Sequence, residues 1–278
     1  MELEILRHIQ SISNPFFDFL FQLITICGEQ IVLIVIISII YWALDKKFGE
    51  YIAYSVLTSV LVNNAIKDIF KLKRPIGEEG IRTLREETAT GYSFPSGHTQ
   101  GAASFYGSMA IYMKKKAMYI IATIMIVLIG FSRLYLGVHY PKDVIVGAIL
   151  GVLTAWICYK LYIRIENKML LYLITFVLFL PALTFAHSAD FIKGLGTYFG
   201  FLIGMFVEKK YVNFSVEGTR VNKIIRVLIG VLILLILQTG LKANTTCLPP
   251  DTAAPRFRQL SAWLGQISFP GKIHTPLR

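Results

Sequence analysis

The chain has 278 residues, 55% of them hydrophobic and only 16% charged, with a formal net charge of +11 and a mean hydropathy of +0.59. A soluble domain carries roughly 25% charged residues, so the composition excludes an ordinary water-soluble globule and points to segments that lie in lipid. The basic residues fall between apolar runs rather than on one soluble face, which argues against nucleic acid and for anionic lipid headgroups as what they meet.

Residues 1–15 carry Glu2, Glu4 and Arg7, with neither a cationic start nor a small-residue cleavage site, so no cleavable leader is expected. Apolar runs then predict helical spans at roughly 14–28, 31–45, 51–70, 97–113, 117–132, 143–162, 169–186, 191–207 and 223–241. The first is short and holds Asp18, as a re-entrant or tilted segment would. The connections are tight except for 76–94, a long loop of mixed charge (Glu78, Glu79, Arg82, Arg85, Glu86, Glu87). No internal repeat is visible. From Ala243 on, the chain holds five of its ten prolines and loses all periodicity, which reads as a disordered tail or one foreign to the native protein. Cys27, Cys158 and Cys247 are scattered, with neither metal-ligand spacing nor a disulfide pattern. The fold class expected is all-α, a polytopic membrane helix bundle. A six-helix core fills 1–165, about three further transmembrane helices fill 166–242, and the tail is 243–278.

If the spans alternate, one set of connections collects Lys46, Lys47, Lys114, Lys115, Lys116, Lys160, Arg164, Lys168, Lys209 and Lys210. The positive-inside tendency places that set in the cytoplasm. The other set, 71–94, 132–142 and 187–190, then faces outward in a cell membrane. That outer set holds three clusters.

The first is Lys67, Lys71 and Arg74 before Pro75. Their four- and three-residue spacing predicts one cationic helix face ending at the proline. Such a stripe serves equally as a snorkelling collar at the membrane boundary. The second is Pro95-Ser96-Gly97-His98, opening an apolar helix. The first amides of a helix lack intrahelical partners and point outward, so the start is an anion site to which Ser96 adds a hydroxyl. The third is Arg133, His139, Pro141 and Asp143. A planar guanidinium suits phosphate oxygens, and a carboxylate holding one imidazole nitrogen leaves the other as a nucleophile. Several cations, a helix start and two histidines with different neighbours on one membrane face fit phosphoryl transfer, whose transition state spreads negative charge over equatorial oxygens.

Lys67-x6-Arg74-Pro75, then Pro95-Ser96-Gly97-His98, then Ser132-Arg133-x5-His139-x3-Asp143 looks like the three-part signature of the type 2 phosphatidic acid phosphatase superfamily. The motifs are complete and in order, within about 14–163. The extra C-terminal helices resemble the layout of sphingosine-phosphate phosphatase-like members. The resemblance implies a lipid phosphate phosphatase in which His139 attacks phosphorus and Asp143 orients it. His98 protonates the leaving oxygen and then assists water. Lys67, Arg74, Arg133, Ser96 and Gly97 hold the phosphate. It implies no metal and no cofactor, a lipid phosphate substrate among membrane lipids, and no obligate protein partner. Phosphatidic acid, phosphatidylglycerophosphate, a polyprenyl diphosphate and a sphingoid-base phosphate stay open as substrates. A lipid phosphotransferase would use the same residues, and an anion-binding transporter is the reading from another class. The family is also similar to vanadium haloperoxidases at these motifs, because vanadate mimics phosphate.

Overall fold

The computed structural model describes the backbone of residues 1–246 and side chains through residue 233. Its regular structure is helical, in ten α-helices: Glu2–Gln10 (α1), Pro15–Ile26 (α2), Gln30–Ile39 (α3), Lys46–Phe70 (α4), Gly97–Met113 (α5), Lys116–Tyr135 (α6), Pro141–Arg164 (α7), Lys168–Phe179 (α8), Ala189–Val207 (α9) and Arg220–Thr246 (α10). Short π segments extend α3 to Leu44 and α9 to Val212. Met1–Val227 form one compact unit, and a second begins at Leu228. Helix starts are set by side chains that accept an orphan amide: Asn14 for α2, Asp45 for α4, Asn167 for α8 and Ser188 for α9.

Each predicted span corresponds to a helix, but length and composition alone qualify fewer as membrane crossings. Lys116–Tyr135, Pro141–Arg164 and Ala189–Val212 qualify singly among the described residues, and α2 with α3 to Leu44 qualifies as a pair bent by 49°. The bend lies between the first two predicted spans, so the pair forms either one broken crossing or a re-entrant loop. α4 is too polar to qualify, and α5, of 17 residues, is too short as well as polar; the structure shows where those polar residues go. α5 packs against α3, α4, α6 and α7, and its polar residues Thr99, Gln100, Ser104 and Ser108 are all buried. All but Thr99 meet partners on α4: Gln100 Nε2 donates to the Ser59 carbonyl at 3.0 Å, Ser104 Oγ lies 3.0 Å from Ser55 Oγ, and Ser108 Oγ donates to Ser55 Oγ at 2.8 Å. The apolar side chains left exposed on α6 and α7, such as Ile124, Val127, Ile145, Ile149 and Trp156, form the face suited to lipid. The molecule is a multi-pass membrane helix bundle.

Two expectations need correction. α4 does not run on to Pro75. It ends at Phe70, with Lys71 in the left-handed region at φ 50° as its cap. Lys71 is exposed while Lys67 is buried, so no cationic stripe joins Lys67, Lys71 and Arg74. Arg74 reaches the interior from an extended segment, consistent with the bias of a residue before proline away from helix. The segment expected as a tail begins inside α10, which is helical through Thr246; residues 247–278 lie outside those described.

α5 and α7 approach closely because α7 presents Gly147, Gly151 and Ala155 at four-residue spacing, the small-residue seam by which membrane helices come together. A Cβ on Gly147 would stand 2.8 Å from the Ser96 carbonyl, and one on Gly151 would stand 2.6 Å from Ala103 Cβ. The seam brings the starts of both helices to one end of the bundle, where the Ser96 amide donates to the Asp143 carbonyl at 3.0 Å. Gly151→Leu is therefore expected to force the two helices apart. A loss of stability of about 3 kcal/mol or more follows from overpacking, together with loss of activity, read as a lowered thermal midpoint in detergent.

Candidate active site

His139 sits just before α7 and is 1% exposed. Gly137, at φ 69°, makes the turn that delivers it; a side chain there would strike the Arg82 carbonyl. Pro141 then opens α7. Asp143 caps the start: its Oδ2 accepts from the Tyr140 amide at 2.9 Å. The same oxygen accepts from Ser93 Oγ at 2.5 Å and faces His139 Nδ1 at 3.3 Å.

On the other side of the ring, Arg74 Nη1 lies 2.9 Å from His139 Nε2. A guanidinium has donors only, so Nε2 accepts and the neutral ring carries its proton on Nδ1. That proton points toward Asp143 Oδ2, with Ser93 Oγ a second neighbour at 3.4 Å. Arg74 is itself held by backbone carbonyls: Thr90 at 2.6 Å, Val138 at 3.0 Å, Gly91 at 3.1 Å and Tyr92 at 3.3 Å. Burial pushes the Arg74 guanidinium down to about 10, with Asp143 and Asp190 opposing the shift, so it stays charged at neutral pH. Burial first, then the fields of Arg74, Arg133 and Lys67, hold His139 well below the usual imidazole range.

Arg133 is fully buried at the end of α6. Its Nη1 donates to Thr25 Oγ1 at 2.9 Å and more weakly to Thr88 Oγ1, while its Nε has no partner among the described residues. Lys67 is 7% exposed on α4. One turn earlier, Asn63 Nδ2 donates to the Pro95 carbonyl at 3.2 Å and to Gln100 Oε1 at 2.9 Å, which fixes the start of α5. Gly97 leaves only 3.4 Å between a would-be Cβ and Asn63 Oδ1. His98, in the first turn, has its Nε2 buried without a partner among the described residues. Ser96 caps α5, accepting from Thr99 Oγ1 at 3.0 Å and at the limit of range from the Thr99 amide. Its hydroxyl keeps one proton for another acceptor.

The candidate site residues of the three motifs therefore lie at one end of the bundle, and His139 contacts both Arg74 and Asp143 directly. Sequence reasoning missed Ser93, which shares Asp143 with His139. It also missed Thr25 and Thr88, which hold Arg133, and Asn63, which fixes the start of α5. It read 76–94 as a long loop of mixed charge and did not foresee what holds it. In the structure that segment is tied down: Arg82 pairs with Asp18 at 2.5 Å and Arg85 with Glu29 at 2.6 Å, and Gln10 Oε1 accepts from the Arg82 amide at 2.9 Å. Asp18 was the odd charge of the first span, and α1, with its Gln10, was not foreseen as a helix.

Residues 49–166 match the model of the PAP2 superfamily, and residues 192–265 match the model of the PAP2 superfamily phosphatase, transmembrane extension. The second match takes in most of α9 and all of α10, and reaches into the segment read as a tail; α8 lies between the two matches. The chain is similar to the undecaprenyl-diphosphatase of Sulfolobus acidocaldarius, 32% identical over 123 residues, which cover 44% of this chain and 57% of that one. It is similar to phosphatidylglycerophosphatase B of Bacillus subtilis, 38% identical over 105 residues, covering 34% and 49%. The matched regions thus span about half the length of these curated relatives. Among solved structures it is similar to LpxE of Aquifex aeolicus, at a TM-score of 0.52 and 27% identity, covering 57% of this chain and 94% of that one.

Proposed function

Because the chain belongs to the PAP2 superfamily, we propose that it is an integral-membrane lipid phosphate phosphatase acting through a phosphohistidine on His139. One observation carries the reading: Arg74 donates to His139 Nε2, so the ring proton lies on Nδ1 toward Asp143. The nitrogen that faces the phosphate-binding cations therefore carries a lone pair rather than a proton, and phosphorus takes that lone pair over from Arg74 in the attack. In the first step Nε2 attacks phosphorus, the bond to the lipid oxygen breaks, and His98 gives that oxygen a proton. In the second, water attacks phosphorus, His98 takes a proton from it, and the P–N bond breaks to release phosphate. Lys67, Arg74 and Arg133 supply the positive charge that meets the equatorial oxygens, and the α5 start adds the Gly97 and His98 amides and the Ser96 hydroxyl. With that charge built into the protein, turnover is expected to need no metal.

The substrate keeps its tail between helices and brings its headgroup to the site. Undecaprenyl diphosphate and phosphatidylglycerophosphate are the lipids named by the relatives, and both are lipid phosphates on which the same chemistry operates. The basic connections at the far end, Lys46, Lys114–Lys116 and Lys209–Lys210, support a cell-membrane orientation with the site on the extracytoplasmic face. The test is phosphate release from a panel of lipid phosphates by the purified chain in detergent with excess chelator. Chelator-resistant release supports the reading, and release that stops with chelator and returns with a divalent ion defeats the metal-free step.

The pH dependence follows from the same groups. Attack needs neutral His139 and departure needs protonated His98, so kcat/KM is expected to be bell-shaped. His139 is depressed below its usual value. The ring therefore stays neutral as pH falls through 6.5, and activity is lost only below that. Lys67→Met removes one of the opposing cations, making protonation of His139 easier. Its acid limb is expected to move to higher pH, and a limb that stays in place argues against His139 as the group read there.

A further inference from the structure

The segment leading into α9 is bonded to the active-site end of α4. The Ser188 amide donates to Asp68 Oδ2 at 2.9 Å, and Asn64 Nδ2 donates to the Asp190 carbonyl at 2.9 Å. Asp68 is buried, and Asn64 lies one turn before Lys67 on the same helix. Asp190 in turn reaches the loop opposite: Thr90 Oγ1 donates to its Oδ2 at 3.3 Å. Gly91, at φ 61°, passes so close that a Cβ would stand 3.0 Å from the same oxygen. Thr90 and Gly91 are the residues whose carbonyls take three of the guanidinium's contacts together with Tyr92, and the guanidinium touches the nucleophile. None of the three sequence motifs contains Asp190, Thr90 or Gly91.

We infer that the C-terminal extension completes the active site, with Asp190 as a positioning residue that straps the Thr90–Gly91 turn and through it holds Arg74 against His139 and the phosphate. The chain of contacts runs from α4 through Asn64 to Asp190, across to Thr90, and through its carbonyl to Arg74. Asp190 does not touch phosphate or nucleophile; it acts by limiting where the carbonyls of the turn can stand. A guanidinium preorganised where charge develops stabilises the transition state more than the ground state, so loosening the strap is expected to lower kcat more than it raises KM. This inference rests on the phosphatase reading of the site.

The test compares the full chain in detergent with Asp190→Ala, Asp190→Asn, Thr90→Val and the double variant Asp190→Ala/Thr90→Val. It measures kcat and KM on a lipid phosphate and, by calorimetry, the direct binding of orthovanadate, an oxyanion that takes the five-coordinate geometry of the transferred group. Losing one hydrogen bond in the strap is expected to lower kcat about five-fold and to weaken vanadate by a similar factor. Because both residues act in one strap, the double variant should be no worse than the poorer single one. Asp190→Asn should recover to within about two-fold, since an amide oxygen can still accept from Thr90. Unchanged kinetics in Asp190→Ala overturn the inference. So does a double variant whose loss is the product of the single losses, and so does an Asp190→Asn as poor as Asp190→Ala, which would make charge rather than the strap the cause. If Asp190→Ala lowers the thermal midpoint, Thr90→Val, which keeps side-chain volume, decides. If the wild type releases no phosphate, the phosphatase reading fails, while the order of vanadate affinities among the variants still judges the strap.

Discussion

Replacement of His139 by alanine is expected to reduce phosphate release by a factor on the order of 10⁴ or more, with the protein still folded. The side chain is buried and the substitution opens a cavity, but no ladder or helix interior depends on it, because the residue lies in the turn before α7. What is lost is the lone pair. With it gone, Arg74, Lys67 and Arg133 still attract the oxyanion, so binding of inorganic phosphate or vanadate should survive within about ten-fold while turnover disappears. The intermediate gives an independent reading. A lipid carrying radioactive phosphate, mixed with the wild type and quenched in alkaline detergent, where a P–N bond persists, should leave label on the protein. No label should appear on His139→Ala. Label on the alanine variant would assign the nucleophile elsewhere, and equal release by both proteins would remove His139 from the chemistry. His98→Ala should lie between the two. It keeps the nucleophile and loses the proton donor, at a cost of about 10² to 10⁴ in rate. A lipid with a better leaving group should regain part of that loss.

How much of this was visible in the chain alone depends on what each residue has to do. The spans were legible because lipid imposes one requirement on every turn of a crossing helix, an apolar exterior, and hydropathy records it directly. The residues to which the proposed chemistry assigns roles were legible for a different reason. The proposed phosphoryl transfer calls for those residue types at His98, His139, Asp143 and the three cations, and α4, α5 and α7 each carry one end of a motif to the same end of the bundle. Arg74 shows where this stops. Its spacing from Lys67 suited a shared helix face, yet α4 closes at Phe70 with a left-handed Lys71, and four carbonyls rather than a helix direct the guanidinium. Carbonyl ligands leave no trace in residue type, so the supports from Thr90, Gly91 and Tyr92 could not be read from the sequence. Ser93 was equally silent, as one serine among several near Pro95. Asp18 did leave a signal, a charge in an apolar run, but its partners Arg82 and Tyr135 lie 64 and 117 residues away, and separation of that kind is set by tertiary folding. The same holds for Arg133, whose Thr25 and Thr88 supports come from the last turn of α2 and from the long loop.

Asp143→Asn gives the second large effect, and the geometry fixes its form. Asp143 Oδ2 takes three donors, the Tyr140 amide at 2.9 Å, Ser93 Oγ at 2.5 Å and the His139 Nδ1 proton at 3.3 Å, while Oδ1 has no partner among the described residues. An asparagine in this place must keep its carbonyl oxygen toward those donors, because its NH₂ there would face the Tyr140 N–H. The Nδ1–H tautomer of His139 is therefore retained. What disappears is the negative charge beside a ring that becomes positive as its other nitrogen bonds phosphorus. The NH₂ also takes the place of Oδ1, with nothing to accept its protons. A wrong tautomer in a comparable carboxylate–histidine pair costs about 10⁴ in kcat. With the tautomer kept, the expected loss in kcat is smaller, on the order of 10² to 10³, with KM little changed because the cations still hold the phosphate. The pH profile separates this from simple damage. Without the carboxylate the imidazolium is less favoured, so the acid limb of kcat/KM should move to lower pH, opposite to the shift expected for Lys67→Met. Ser93→Ala removes one donor and leaves the charge, so it should cost only about ten-fold and leave the limb near its wild-type position. An Asp143→Asn protein with wild-type kcat would show that His139 needs no carboxylate. One whose acid limb rises would place a different group in control of the proton.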